Sequence, residues 1–400
     1  FVKFLANSDE MNYSGGLKTK LTIRYQTFYK NLLVKFCEVF LIDLPVNTFS
    51  DRVLKWFESQ GRHNLPWQIN PSPYRVWVSE IMLQQTQVTT VIPYYERFMN
   101  RFPTISDLAK ADIDQVLHLW TGLGYYARAR NLHKTAQIIT IEYRKQFPKS
   151  VDILESLPGI GRSTAGAIAA LSMNKQAAIL DGNVKRVLTR FYAIKGWPDE
   201  TNTKKRLWEL AEKETPKKNV ASYTQGIMDL GATVCTRSKP DCIKCPLISD
   251  CSAFLSKTIE NFPGKKPKKS LPTKSVVMYI FRNELSEVLL EKRPPNGIWG
   301  SLYSFPEVVP TQNNHRIKKE LPGVKLQFSE KNHGSDLEPL THNFSHFRLS
   351  IRPQLIEIMR NECDISDSSR WLWYPLNQSL EVGLAAPVKK LLYHLPQKNN

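Results

Sequence analysis

LPGIGRSTAG, residues 157–166, puts two glycines into a tight turn immediately before a helix expected to begin near Arg162. Gly159 and Gly161 permit positive φ and close backbone approach, so the N–H groups opening that helix can point at an anion. Two helices joined this way make a hairpin that grips a phosphate; the competing reading is an ordinary interhelical loop. The glycines alone do not decide between them, and the neighbouring sequence says more. In LDGNVKRVLTRF (180–191), Asp181 precedes a helix whose apolar face is Val184, Val187, Leu188 and Phe191. An aspartate there is first of all an N-cap. A capping carboxylate is also an oriented one, so that role leaves room for chemistry.

Upstream, VWVSEIMLQQTQV (76–88) sets Glu80 among Val76, Trp77, Val78, Ile81 and Met82, with Gln84 one turn onward on the same face. Burial there disfavours the charged carboxylate and raises its pKa, as a general acid near neutrality requires. The plain alternative is a glutamate at a helix start. Apolar residues recur at helical spacing from Phe49 onward, through Val53–Phe57, Val78–Ile92, Ile113–Leu119, Ala127–Tyr143, Thr164–Leu171, Val184–Tyr192 and Lys204–Glu214. No strand signal precedes Phe262, so residues 46–262 read as an all-α domain of helix-hairpin-helix kind.

GKKPKKSLPTK (264–274) holds five lysines, two prolines and no acid, and residues 263–274 read as a basic linker. Beyond it SVVMYIF (275–281), EVLLEK (287–292), VKLQF (324–328) and FRLSIRPQLIEI (347–358) look like strands. Residues 275–396 are therefore expected to form a smaller α+β domain. Residues 1–45 are an extension with no assignable role, helical if anywhere near Leu32–Leu41.

CTRSKPDCIKCPLISDC (235–251) gathers Cys235, Cys242, Cys245 and Cys251, four of the chain's six cysteines. Four thiolates on one irregular loop can close around a single metal centre. Zinc modules usually pair their ligands as two Cys-x-x-Cys hairpins, and only Cys242 with Cys245 has that form. The spacing thus favours iron–sulfur over zinc, with uninvolved thiols third. A cluster that pins the loop is the expectation, holding Arg237, Lys239 and Lys244 towards phosphates. Cys37 and Cys363 stand apart, which does not resemble a secreted disulfide framework.

The net charge of +18, from 55 Lys and Arg against 37 Asp and Glu, favours a polyanionic partner, though charge alone fits any basic soluble protein. No stretch reaches the 18 or so apolar residues of a membrane span. Asn31–Asp43 is broken by Lys35 and Glu38 and lacks a small-residue cleavage site, so no signal peptide and a cytoplasmic location are expected.

SEIMLQQTQV (79–88), GLGYYARARNL (122–132), LPGIGRSTAGA (157–167), LDGNVKRVL (180–188), MDLGATVC (228–235) and the cysteine spacing together closely resemble the adenine DNA glycosylase (MutY) family of the endonuclease III superfamily. The likeness runs from about Phe49 to Leu395. It implies a [4Fe-4S] cluster on the four cysteines. It also implies removal, from double-stranded DNA, of adenine mispaired with 8-oxoguanine or, less efficiently, guanine. Glu80 is implied as the acid that protonates the extruded base, Asp181 as the ionised carboxylate facing an oxocarbenium-like sugar, and Asn183 as an organiser of the site. Trp67 and Gln225 would line the adenine pocket, while Gln85, Thr86, Leu123 and Tyr125 enter the duplex around the oxidised guanine. Ser163 stands where lyase relatives carry a nucleophilic lysine, which implies a monofunctional enzyme. A monomer, nucleoid-associated if bacterial, completes the picture.

The C-terminal domain resembles a Nudix-like (MutT-like) module, with Phe344, Ser345 and His346 matching the loop beside the oxidised base. After GIWGSLYSFPEVVP (297–310) no R-E-x-x-E-E run follows to bind magnesium, so pyrophosphatase activity is not expected. His342 and His346 have no further ligands in the nearby sequence and do not read as a metal pair. Ser301 departs from the glycine that related chains often carry. A glycosylase/lyase for oxidised pyrimidines is opposed by Ser163 and the extra domain. A catalytically silent DNA binder is opposed by the presence of both Glu80 and Asp181.

Overall fold

The computed structural model describes residues 48–267, 270–309, 321, 323–326, 334–359 and 363–395. The readings of residues 1–45, including a helix near Leu32–Leu41, lie outside them. The chain runs through α1 (Phe49–Gln60), α2 (Pro73–Leu83), α3 (Val88–Arg101), α4 (Ile105–Lys110), α5 (Ile113–Trp120) and α6 (Ala127–Glu142). It continues through α7 (Val151–Ser156), α8 (Arg162–Met173), α9 (Gly182–Phe191), α10 (Thr201–Glu214), α11 (Val220–Asp229) and the short α12 (Ser252–Leu255). Among the described residues no strand precedes Thr273, as the periodicity requires.

The apolar run 78–92 forms two helices. The Thr86 N–H donates to the Leu83 carbonyl (3.2 Å), closing α2, and Gln85 turns the chain in the left-handed region at φ 59°. Polar side chains set the starts: Ser72 accepts from the Arg75 N–H at 3.3 Å, and Asp112 from the Asp114 N–H at 2.7 Å. Helix α2 is the central rod. Its Trp77, Val78 and Met82 are fully buried, with Phe98, Leu117, Trp120 and Ile139 from the surrounding helices equally so.

The second part is built on β1 (Thr273–Arg282), β2 (Glu287–Lys292), β3 (Tyr303–Ser304), β4 (Glu307–Val308), β5 (Val324–Leu326), β6 (Ser335–Asp336), β7 (Leu340–Asn343), β8 (Arg348–Glu357), β9 (Cys363–Ile365) and β10 (Trp371–Pro375), followed by helix α13 (Ala386–His394). The sheet order is β10-β2-β1-β8-β6, with β3 on β2, β4 on β1 and β7 on β8; β5 and β9 pair separately. Strands β1 and β8 run parallel from Thr273↔Arg348 to Arg282↔Glu357. Strand β1 thus begins two residues inside the stretch read as linker, because Thr273 and Lys274 already have pairing partners.

One apolar core passes through both parts, taking in Leu117, Trp120 and Tyr126 from the helices and Trp299, Leu302, Leu384 and Val388 from the sheet domain. Lys292 Nζ meets Asp114 at 2.8 Å, Arg130 Nη1 donates to the Gly300 carbonyl at 2.7 Å, and a Cβ on Gly383 would lie 2.6 Å from Leu117 Cβ. Among the described residues no helix is long and apolar enough to cross a membrane.

Candidate active site

Glu80 lies in the last turn of α2, not at a helix start as the plain alternative had it. Its neighbours along the helix, Val76, Trp77, Val78, Ile81 and Met82, are buried, so the helix is pinned and the carboxyl is delivered to one place. Asp181 is the N-cap of α9: one oxygen accepts the Val184 N–H at 2.8 Å, and the other accepts from Asn183 Nδ2 at 3.0 Å. Both carboxyls open into one cavity of about 420 Å³, together with Trp67, Gln84, Gln85, Thr86, Ser163, Asn183 and Gln225.

Burial pushes Glu80 up to about 8, and the nearby Asp181 charge adds to the rise. Burial raises Asp181 as well, but the Val184 and Asn183 hydrogen bonds and the Arg186 cation pull the other way. Only Asp181 has donors aimed at both of its oxygens, which favours its ionised form over that of Glu80. The pair near neutrality is a carboxylic acid facing a carboxylate.

The walls are held from behind. Trp67 packs edge-on to Tyr95 with centroids 5.4 Å apart. Gln225 Nε2 donates to Asp229 Oδ1 at 2.9 Å, and the wholly buried Asp229 also takes the Arg62 backbone N–H (2.7 Å) and Nε (2.9 Å). Ser163 Oγ accepts the Leu180 N–H at 3.0 Å, which fixes the strand-like approach to Asp181.

In the hairpin only Gly159 takes positive φ, at 78°; Gly161, the N-cap of α8, is extended at φ −92°. Of the two glycines that permit positive φ only Gly159 uses it, because a single reversal suffices to turn α7 into α8. A Cβ on Gly159 would come within 2.8 Å of Asn131 Cβ, whereas the space beside Gly161 is open, as close approach of a ligand needs.

A second groove, of about 670 Å³, is lined by Gln84, Gln85, Gly124 and Tyr125 from the helical part and by Trp299, His342, Phe344, Ser345 and His346 from the sheet part. Gln84 and Gln85 belong to both cavities. Tyr125 is 51% exposed at φ 51°, and Phe344 stacks on Phe347 at 4.5 Å with Ser345 and His346 exposed beside it. Leu123 behaves otherwise than expected. Its side chain is 6% exposed and packs in the main core, so the fold presents the flanking Tyr125, not Leu123, to an incoming duplex.

Cys235, Cys242, Cys245 and Cys251 line a common cavity; burial first, and neighbouring thiolates second, push the Cys242, Cys245 and Cys251 thiols up. Among the described residues no group of three His, Cys, Asp or Glu side chains is arranged to hold a metal ion. The four thiols facing one cavity are a soft, all-sulfur donor set, which fits an iron–sulfur group. Arg190, 4% exposed, donates from Nη1 to Cys235 Sγ at 3.3 Å and to the Thr236 carbonyl at 2.8 Å, placing cationic donors where thiolates would form. Lys244 pairs with Asp241 at 2.8 Å, so of the loop cations one already has a partner.

Four supporting residues escaped the sequence reading. Arg128 binds six oxygens at the end of α2 and in the Leu123–Gly124 turn; Arg186 joins Asn183 to the cysteine loop; Arg190 braces that loop; Asp229 anchors Gln225. All sit inside quoted motifs, but none was assigned a role there. The available signal was their place beside apolar positions on α6, α9 and α11.

Fold and site together define a base-excision DNA glycosylase of the helix-hairpin-helix class. Residues 78–213 match the model of the HhH-GPD superfamily base excision DNA repair proteins, and residues 276–394 match the NUDIX domain. The chain is 42% identical to the adenine DNA glycosylase of Buchnera aphidicola subsp. Acyrthosiphon pisum (strain APS) over 86% of its own length and 96% of the relative's. To that of Mus musculus it is 32% identical, covering 82% and 74%. The structure of a thermostable thymine-DNA glycosylase is similar at 28% identity, covering 52% of this chain and 95% of that one, with a TM-score of 0.48. The chain belongs to the adenine DNA glycosylase family, enzymes that hydrolyse N-glycosyl bonds in DNA.

Proposed function

We propose that this glycosylase extrudes and removes adenine paired with 8-oxoguanine, or more slowly with guanine, without an efficient strand-cleaving step. The observation that carries the reading is the pair in one cavity, a buried carboxylic acid at Glu80 opposite a capped carboxylate at Asp181. The Glu80 proton passes to adenine, at N7. The C1′–N9 bond then breaks with its electrons going to the base, and Asp181 stabilises the cationic sugar that remains. Water adds at C1′, and its proton is taken up by the Glu80 carboxylate, which restores the acid. Asn183 holds Asp181 in line, and Trp67 and Gln225 bound the base.

Residues 46–262 carry this chemistry and residues 275–396 read the opposite base through Phe344, Ser345 and His346, with 263–274 joining them. Cys235, Cys242, Cys245 and Cys251 would hold a [4Fe-4S] cluster, which when bound supplies a cross-link that fixes the loop after α11. Ser163, occupied by the Leu180 N–H, offers no amine for Schiff-base attack.

Duplexes with adenine opposite 8-oxoguanine, guanine or thymine, scored for abasic sites with and without alkali, test the reading. Excision is expected fastest opposite 8-oxoguanine, with strand breaks only after alkali. Equal rates opposite all three, or an abundant borohydride-trapped complex dependent on one lysine, would overturn it.

A further inference from the structure

Arg128 ties together two regions that the chemistry needs at once. Its Nη1 donates to the carbonyls of Ile81 and Met82 (both 2.9 Å) and of Gln84 (2.7 Å), closing the end of the helix whose last turn bears Glu80. Its Nη2 donates to the Gly124 carbonyl (3.0 Å), the Leu123 carbonyl (3.3 Å) and Thr86 Oγ1 (3.4 Å). The guanidinium also lies 5.4 Å from the Tyr125 ring centroid and 5.5 Å from that of Trp120. All six oxygens are neutral, so the contact is positional and not a charge pair. Gln85 and Tyr125, on either side of this cation, both hold left-handed backbone that an ordinary residue adopts only under constraint.

We propose that Arg128 is a positioning residue that makes the opposite-base groove and the Glu80 helix one rigid unit, so that a well-fitted opposite base sets the acid. The proposal rests on the reading of the groove as the 8-oxoguanine site. Contact at the groove speeds the chemistry only if its free energy reaches the acid in the transition state. The six-oxygen clamp is a direct hydrogen-bonded link between Gln84–Thr86, the Leu123–Gly124 turn and the helix that bears Glu80. A lysine has the charge but not the planar fork, and cannot hold both sets of carbonyls.

Single-turnover excision at saturating enzyme is to be measured for wild type, Arg128→Lys and Arg128→Gln, on duplexes with adenine opposite 8-oxoguanine and opposite guanine. Circular dichroism and iron content serve as folding controls. Arg128→Lys is expected to slow excision opposite 8-oxoguanine at least tenfold and excision opposite guanine less than threefold, collapsing the preference. A merely structural role slows both by the same factor, and that result, or no change on either duplex, overturns the proposal while leaving the proposed function intact. A wild type without preference for 8-oxoguanine removes the groove reading and this inference with it. If Arg128→Gln fails to fold, Arg128→Lys alone decides.

Discussion

Arg186 joins the site to the cysteine loop: its Nη2 donates to Asn183 Oδ1 at 2.8 Å while its Nε donates to the Cys235 carbonyl at 2.6 Å. Asn183 in turn donates to Asp181. Gly231 lets this happen, since a Cβ there would lie 2.6 Å from Asn183 Cβ. Losing a charged hydrogen bond costs about 1.5–3 kcal/mol. Arg186→Lys is therefore expected to lower single-turnover excision by roughly ten- to a hundredfold, with iron content and circular dichroism retained. Unchanged excision would show that the loop and Asp181 are energetically independent.

The rate should fall as pH rises through about 8, because the proton needed on Glu80 is lost there. Folding carries the same signature. The folded acid holds its proton up to about 8 whereas the unfolded one releases it near 4.5, so the native state binds more protons between those values and stability declines with rising pH. Glu80→Gln removes that penalty. It is expected to abolish excision yet to stabilise the fold above pH 8 by on the order of a few kcal/mol, seen as a higher melting temperature. Calorimetry of both proteins from pH 5 to 9 checks the sign.

Asp229 is wholly buried and satisfies Arg62 and Gln225 together. Asp229→Asn leaves the part-exposed Arg62 guanidinium short of its counter-charge, and losing hydrogen bonds to a charged group costs about 1.5–3 kcal/mol. Urea unfolding should show a loss of unfolding free energy of that size, with adenine excision weakened further through the displaced Gln225.

Ser301 adopts φ 62° between the Gly300 carbonyl that Arg130 grips and the Leu302 core position. Left-handed backbone at a residue with a Cβ costs about 1 kcal/mol. Ser301→Gly is expected to raise thermal stability by about that amount and to leave excision unchanged. A loss of stability would mean that the serine side chain contributes contacts that outweigh the strain.

The helical domain was largely legible because apolar spacing and N-caps are local: Asp181 sits where its chemistry puts it. Glu80 was found by its apolar neighbours, but its position along α2 was misplaced, since Pro73 begins the helix earlier than the apolar run does. Leu123 shows the limit. Its motif gave a position along the chain, while only packing against the core could show which way the side chain faces. Short strands such as β3 and β4 carry two residues each and no periodicity to read. The meeting of Gln85 and Tyr125 with Phe344 needed three dimensions, since nothing local marks segments over two hundred positions apart.

The apolar seam at Leu117, Leu302 and Gly383 makes the helical and sheet parts inseparable in manufacture. Cutting the chain after the lysine-rich joint would leave each fragment with a greasy scar, prone to clump before it could be assayed. A lineage that inherits this enzyme must therefore alter the two halves together and cannot exchange one of them as a cassette.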